Sequence, residues 1–166
     1  MPAAAPTGSS DVFLHVQTKR AGKLKGEATA SGHVDDILVV GWHWGLNAGS
    51  ALGDTAATRR RSYTALTINK NVDSATTPLM SALATNDEVK EARLTMRRAG
   101  GSQEPYLIIT LKRARITSVQ HDAGADGDVR ETVSLAFSDI EVEYRKQQGA
   151  GSRGAASIFT DTLTDV

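Results

Sequence analysis

Alternation of apolar and polar residues recurs along most of this chain, and it predicts strands. In Asp11–Thr18 (DVFLHVQT), Val12, Leu14 and Val16 fall on one face, with Phe13, His15 and Gln17 on the other. A turn-rich stretch containing Gly22 and Gly26 follows. His33–Gly45 (HVDDILVVGWHWG) reads as the next strand and is apolar on both faces: Ile37 and Val39 on one, Leu38, Val40, Trp42 and Trp44 on the other. A strand of that kind is covered on both sides, by a core and by a helix or another subunit. Leu46–Ser62 has no apolar period and reads as a long loop, a feature that in compact domains tends to be functional or disordered. Tyr63–Asp73 alternates again.

The period changes at Asp73–Asp87 (DSATTPLMSALATND), which predicts the helix. Asp73 or Ser74 supplies its N-cap, Pro78 suits the first turn, and Leu79, Met80, Leu83 and Ala84 form an apolar stripe. Three further strands are predicted at Val89–Ala99, Pro105–Asp122 and Arg130–Gln147, with turns at Gly100–Gly101 and Ala123–Asp128. The last of them changes phase. Val133, Leu135 and Phe137 share one parity, and Ile140, Val142 and Tyr144 the other. One face stays apolar if an extra residue is taken up near Ser138–Asp139, which predicts a β-bulge. The expected fold is therefore mainly β: a small antiparallel barrel or sandwich of about six or seven strands with one flanking helix. Residues 1–10 read as a disordered lead-in, residues 11–147 as the folded domain, and residues 148–166 as a tail able to form a short final strand.

Composition narrows the function more than the fold. The chain has 166 residues, with 19 basic and 19 acidic groups and no cysteine. The missing cysteine excludes a disulfide scaffold, an iron–sulfur cluster, a thiolate zinc site and a cysteine nucleophile. Zero net charge argues against nucleic acid or an anionic membrane as partner. No apolar run approaches the roughly 18–20 residues of a membrane helix, and MPAAAPTGSS lacks the basic start and apolar centre of a Sec-type signal. Charge is nevertheless uneven. Lys90–Arg115 carries 7 basic and 2 acidic residues, and Asp122–Glu143 carries 7 acidic and 1 basic.

Candidate chemistry is sparse. His15, His33, His43 and His121 lie on different elements, and His33 and His43 would stand roughly 33 Å apart on one strand. His121–Asp122 offers half of a metal site at most, and solvated surface histidines are the stronger reading. No glycine-rich loop opens a helix, and no serine stands in a nucleophile elbow. Glu141 and Glu143 share a strand face with the look of a solvated surface rather than an acid–base pair. Arg59, Arg60 and Arg61 without interleaved aromatics favour protein contact or solubility over nucleic acid. No catalytic residue, cofactor or metal is expected.

Five segments, in order, resemble the Hcp family, the tube protein of bacterial type VI secretion systems. Asp11–Val16 is similar to the family's opening strand, and Leu24–Glu27 (LKGE) to its KGES-type turn, with Ala28 where Ser is usual. Gly32 and His33–Gly45 resemble the GH…I.V..W.WG strand. Thr67–Leu79 (TINKNVDSATTPL) resembles the F..TK.VDKASP.L stretch, with Ser74 where Lys is common and Thr77 where Ser often sits. Glu131–Tyr144 is similar to the final strand, with Asp139 in place of a usual Lys. Together they span roughly residues 11–147.

The resemblance implies a β-barrel with a flanking helix that forms homohexameric rings. The rings stack into a tube, driven by a contractile sheath beneath the spike protein VgrG, with small effectors carried in the lumen. It implies assembly in the bacterial cytoplasm and then secretion without a Sec signal. No nucleic acid and no membrane insertion enter this picture. The 19 residues after Gln147 are too few for an added toxin domain. Since the family's corresponding loop contacts neighbouring rings, Leu46, Asn47, Leu52, Asp54, Arg59, Arg60 and Arg61 are candidates for ring stacking. A ring needs two different patches that meet head to tail. Arg97, Arg98, Arg113 and Arg115 on the basic stretch, with Glu141 and Glu143 on the acidic one, are the candidates for that subunit interface. The alternative is that these charges neutralise each other within one barrel. A monomeric ligand-binding barrel and a small hydrolase are the competing functions. A core filled by Leu14, Leu135 and Phe137 disfavours the first, and the lack of a converging polar cleft disfavours the second.

Overall fold

The computed structural model describes residues 11–49, 61–98, 104–147 and 153–163. The expected lead-in at 1–10 and the Gly100–Gly101 turn lie outside the described residues, as does the middle of the expected loop at 50–60. Within them the chain forms eleven strands and one helix: β1 (Asp11–Thr18), β2 (Gly22–Lys23), β3 (Ile37–Leu38), β4 (Gly41–His43), β5 (Leu46–Ala48), β6 (Arg61–Tyr63), β7 (Leu66–Asn71), α1 (Thr76–Ala84), β8 (Val89–Arg97), β9 (Pro105–Ala123), β10 (Val129–Gln147) and β11 (Arg153–Thr162).

Nine strands make one antiparallel sheet in the order β2-β1-β8-β9-β10-β7-β4, with β3 also on β1 and β11 also on β10. Residues 37–43 bring its two edges together. β3 pairs with Phe13 and Leu14, and Val39 N–H donates to Val12 O (3.1 Å). One residue on, Val40 N–H donates to Asn69 O (2.8 Å), and β4 pairs with β7. The ladder is not continuous across this seam, so the form is barrel-like without being a closed ring of strands. Buried alternating positions fill the interior: Leu14 and Val16, Leu66 and Ile68, Leu94 and Met96, Ile109 and Leu111, Val133 and Leu135. Each such side chain contributes about 1.5–3 kcal/mol by leaving water.

Three sequence expectations are corrected. First, His33–Gly45 is not one strand but two short ones, β3 and β4. Asp35 takes a φ of 65°, and the chain packs so closely at Gly26 that a Cβ there would lie 2.5 Å from Asp36 O. Leu38 and Val40 are 50% and 71% exposed, so the chain itself supplies no second cover for them. Second, the helix is shorter, and its buried residues are Thr76, Leu79 and Ala82, while Met80 is exposed. Its N-cap is Ala75 without a side-chain cap; Asp73 Oδ1 instead accepts the Ala75 N–H one turn earlier (2.9 Å). At its other end Asn86 has φ 54°, and the Asn86 and Asp87 N–H groups donate to Leu83 O and Ala82 O. That is a Schellman ending with Asn in the usual Gly place.

Third, the phase change in β10 is real, but no residue is inserted there. Pairing runs from Phe137↔Ala114 to Asp139↔Lys112 in one register. β9 changes phase at the same level through Arg113, whose φ is 47°. β8 does so too, passing from Val89↔Ala114 to Glu91↔Lys112. Lys90, Arg113 and Ser138 thus mark one kink line across three strands. The register shift between β9 and β10 lies elsewhere, where Ser134↔Ser118 gives way to Leu135↔Ile116 and leaves Thr117 as the extra residue.

Candidate assembly surfaces

Most of the charged side chains proposed for a subunit interface find partners within the chain. Arg113 Nε and Nη2 donate to Asp139 (2.6 and 3.2 Å), which joins the basic stretch to the acidic one. The Arg113 hydrogen bond holds the Asp139 carboxyl below its ordinary range, outweighing the burial that pushes it up. Arg97 is buried. Its Nη2 donates to Asp11 (2.9 Å), and its guanidinium lies over the Phe13 ring (4.8 Å). Arg98 lies over Tyr106 (4.9 Å), Arg115 donates to Asn86 O (2.8 Å), and Glu143 accepts from Arg145 (3.0 Å). Glu141 is exposed.

His15 and His33 are less solvated than their sequence context suggests, whereas His43 and His121 are exposed as expected. His15 Nδ1 and His33 Nδ1 both approach the buried Asp36 carboxylate (3.5 and 3.0 Å), which also meets Lys23 Nζ (3.0 Å). Burial raises the Asp36 pKa, and the hydrogen bonds from Lys23 and His33 more than reverse this, leaving it low. His33 stacks on Phe13 at 4.3 Å, which explains the burial of a residue from the expected outer face of β1. His121 Nε2 lies 3.4 Å from Glu131. Among the described residues no group of three or more His, Asp or Glu is arranged to hold a metal ion.

The expected stacking loop begins and ends as a hairpin. β5 and β6 form their own two-stranded sheet through Leu46↔Tyr63, Asn47↔Ser62 and Ala48↔Arg61. Leu52, Asp54, Arg59 and Arg60 lie outside the described residues. The hairpin base rests on the barrel by an aromatic ladder. Trp44 stacks on Tyr63 (6.1 Å), and Tyr63 meets Phe137 edge-on (5.4 Å). It rests on β11 through Asp161, which accepts from Arg61 Nε (2.5 Å), Arg61 Nη2 (3.1 Å) and Tyr63 Oη (2.7 Å). Burial and the Asp161 carboxylate push the Tyr63 phenol up to about 12.

Sequence reasoning missed Asp161 and the weight of the last strand. The alternation in ASIFTDTL was the available signal. β11 pairs with β10 on one side, and among the described residues no strand covers its other edge. Residues 155–160 are exposed throughout, with Ile158 at 58% and Phe159 at 42%. A ten-residue edge with apolar groups on both faces is a ready template for another chain.

The profile of the family described as "Type VI secretion system effector, Hcp" matches residues 13–144. "Protein hcp1" of Pseudomonas aeruginosa is 30% identical over 152 residues, covering 89% of this chain and 91% of that one. The crystal structure of Hcp1 from Salmonella typhimurium superposes with a TM-score of 0.74 at 25% identity, covering 93% and 95% of the two chains. A structure titled as a type six secretion system protein reaches 0.79 at 20% identity, covering 93% and 96%. A chain in the cryo-EM structure of the anti-feeding prophage baseplate, 6-fold symmetrised, shares the fold at 0.51 and 12% identity, covering 84% and 96%.

Proposed function

The chain belongs to the Hcp family of type VI secretion systems, a family of structural tube proteins and not of enzymes, and from that premise we propose that it assembles into hexameric rings that stack into the secretion tube. The observation that carries this reading is β11: a long strand whose outer edge no strand covers among the described residues, with Ile158 and Phe159 exposed, which a monomer would leave open to association. Leu38 and Val40 form a second exposed apolar pair on a different part of the sheet. Two unlike patches on one neutral chain suit head-to-tail contact, the arrangement from which rings are built. Since Arg113 already meets Asp139 within the chain, this seam depends less on charge than the sequence pattern suggests.

On this reading the spike protein VgrG and the contractile sheath are the partners along the tube, and small effector proteins occupy its lumen. The protein assembles in the bacterial cytoplasm and leaves through the same apparatus. No helix among the described residues is long and apolar enough to cross a membrane. A monomeric ligand-binding barrel has less support, because the interior is occupied by Leu14, Leu111, Leu135 and their neighbours. Light scattering on the purified protein tests the reading, with electron microscopy of the same sample. The expected result is a particle of six chains that appears as a ring with a central hole. A monomer at every concentration and salt examined would overturn it.

A further inference from the structure

A hairpin with three rungs is too small to hold its own position. β5 and β6 share no ladder with the main sheet, so their direction depends on what ties them down. One backbone bond, Thr64 N–H to Gly45 O (3.0 Å), closes the hairpin without attaching it to the barrel. The Trp44–Tyr63–Phe137 ladder attaches it, but ring contacts tolerate sliding and tilt. Asp161 is the directional tie. Its carboxylate takes two bonds from Arg61, one from Tyr63 and a fourth from Thr162 N–H (2.9 Å), while Arg61 Nη2 also donates to Thr162 O (3.3 Å). Charge-assisted, two-pronged bonds of this kind fix angle as well as distance. The result is a groove whose walls are Leu46 and Asn47 of the hairpin and Phe159 and Thr160 of β11.

We propose that Asp161 is a positioning residue that locks the β5–β6 hairpin onto β11, so that the two present one rigid surface to a second copy of this chain during ring stacking. The proposal rests on the stacking reading above and adds which residue sets the hairpin's angle. It also couples the two candidate contact elements, since the strand that offers its edge also aims the hairpin.

The test compares the full-length protein with D161N, with R61D and with the exchanged pair R61D/D161R. Light scattering reads ring mass, electron microscopy reads stack length, and hydrogen exchange reads the amides of residues 46–48 and 61–63. D161N is expected to keep the six-chain particle and the protection of β8–β10. Its hairpin amides exchange faster, and association between rings weakens by roughly tenfold, the effect of losing one charge-assisted link. The exchanged pair is expected to restore most of the stacking, which a loss of general stability would not allow. D161N stacking to parental length overturns the proposal alone, as does loss of the ring itself in D161N. Parental rings that never stack overturn the stacking reading and this proposal together.

Discussion

Lys70 and Glu131 have no exposed side-chain surface, and their Nζ and Oε1 atoms lie 3.2 Å apart. They are direct cross-strand partners in the β7–β10 register. Lys70 Nζ also donates to Asp73 Oδ1 (2.8 Å), and Thr76 Oγ1 donates to Glu131 Oε2 (2.6 Å), so the pair ties α1 to the sheet. A buried pair is not in itself stabilising, because both charges lose their water; removing one partner strands the other. Lys70→Met is therefore expected to lower the unfolding free energy by about 3–5 kcal/mol. Glu131→Gln costs less, since Asp73 still faces the ammonium. Urea denaturation of the two variants checks the order, and a Lys70→Met protein within about 1 kcal/mol of its parent would refute it. Both charges were visible in the sequence at apolar parity: Lys70 follows Leu66 and Ile68, and Glu131 precedes Val133 and Leu135. Alternation marked them as inward-facing, but only the register made them partners.

At the level of elements, β11 and the kink line carry the most information. The exposed face of β11 predicts a separation of effects. Ile158→Lys is expected to change unfolding of the isolated chain by less than about 0.5 kcal/mol, as surface substitutions do. It is expected to abolish the six-chain particle, because a lysine on an edge strand opposes edge-to-edge pairing. Thermal unfolding and light scattering on one preparation read both, and a ring of normal mass in this variant would remove β11 from the interface. The phase change in β10 was legible because apolar parity is a property of one strand. The response of β8 and β9 at Lys90 and Arg113 was not, since it depends on three strands bending together. The break inside His33–Gly45 was hidden for a related reason. Its apolar residues alternate without a gap, while the change of partner from β1 to β7 is a property of the sheet.

For the whole molecule, the assembly proposed above divides the labour, giving ring closure to β11 and the Leu38–Val40 region and stacking to the hairpin held by Asp161. Deleting Ala48–Thr58 removes one of the hairpin's three rungs and leaves the barrel's ladders untouched. Rings are expected to persist in this variant while tubes shorten, as read by electron microscopy beside light scattering. Loss of the monomer fold on deletion would count against that division.

The sequence alone marked the inward positions Leu14 and Val16 of β1 and Val133 and Leu135 of β10, where the helix lies, that β10 changes phase, and to which family the chain is related. These features are local or ordered along the chain, so periodicity and motif spacing express them. The tertiary structure alone showed that Arg113 meets Asp139 within the chain, that Lys70 meets Glu131, and that Asp161 reaches back 100 residues to hold Arg61. A two-residue period says that a side chain points to one face of a sheet. It does not say which strand lies alongside, and that neighbour sets which charges are neutralised and which edges stay open.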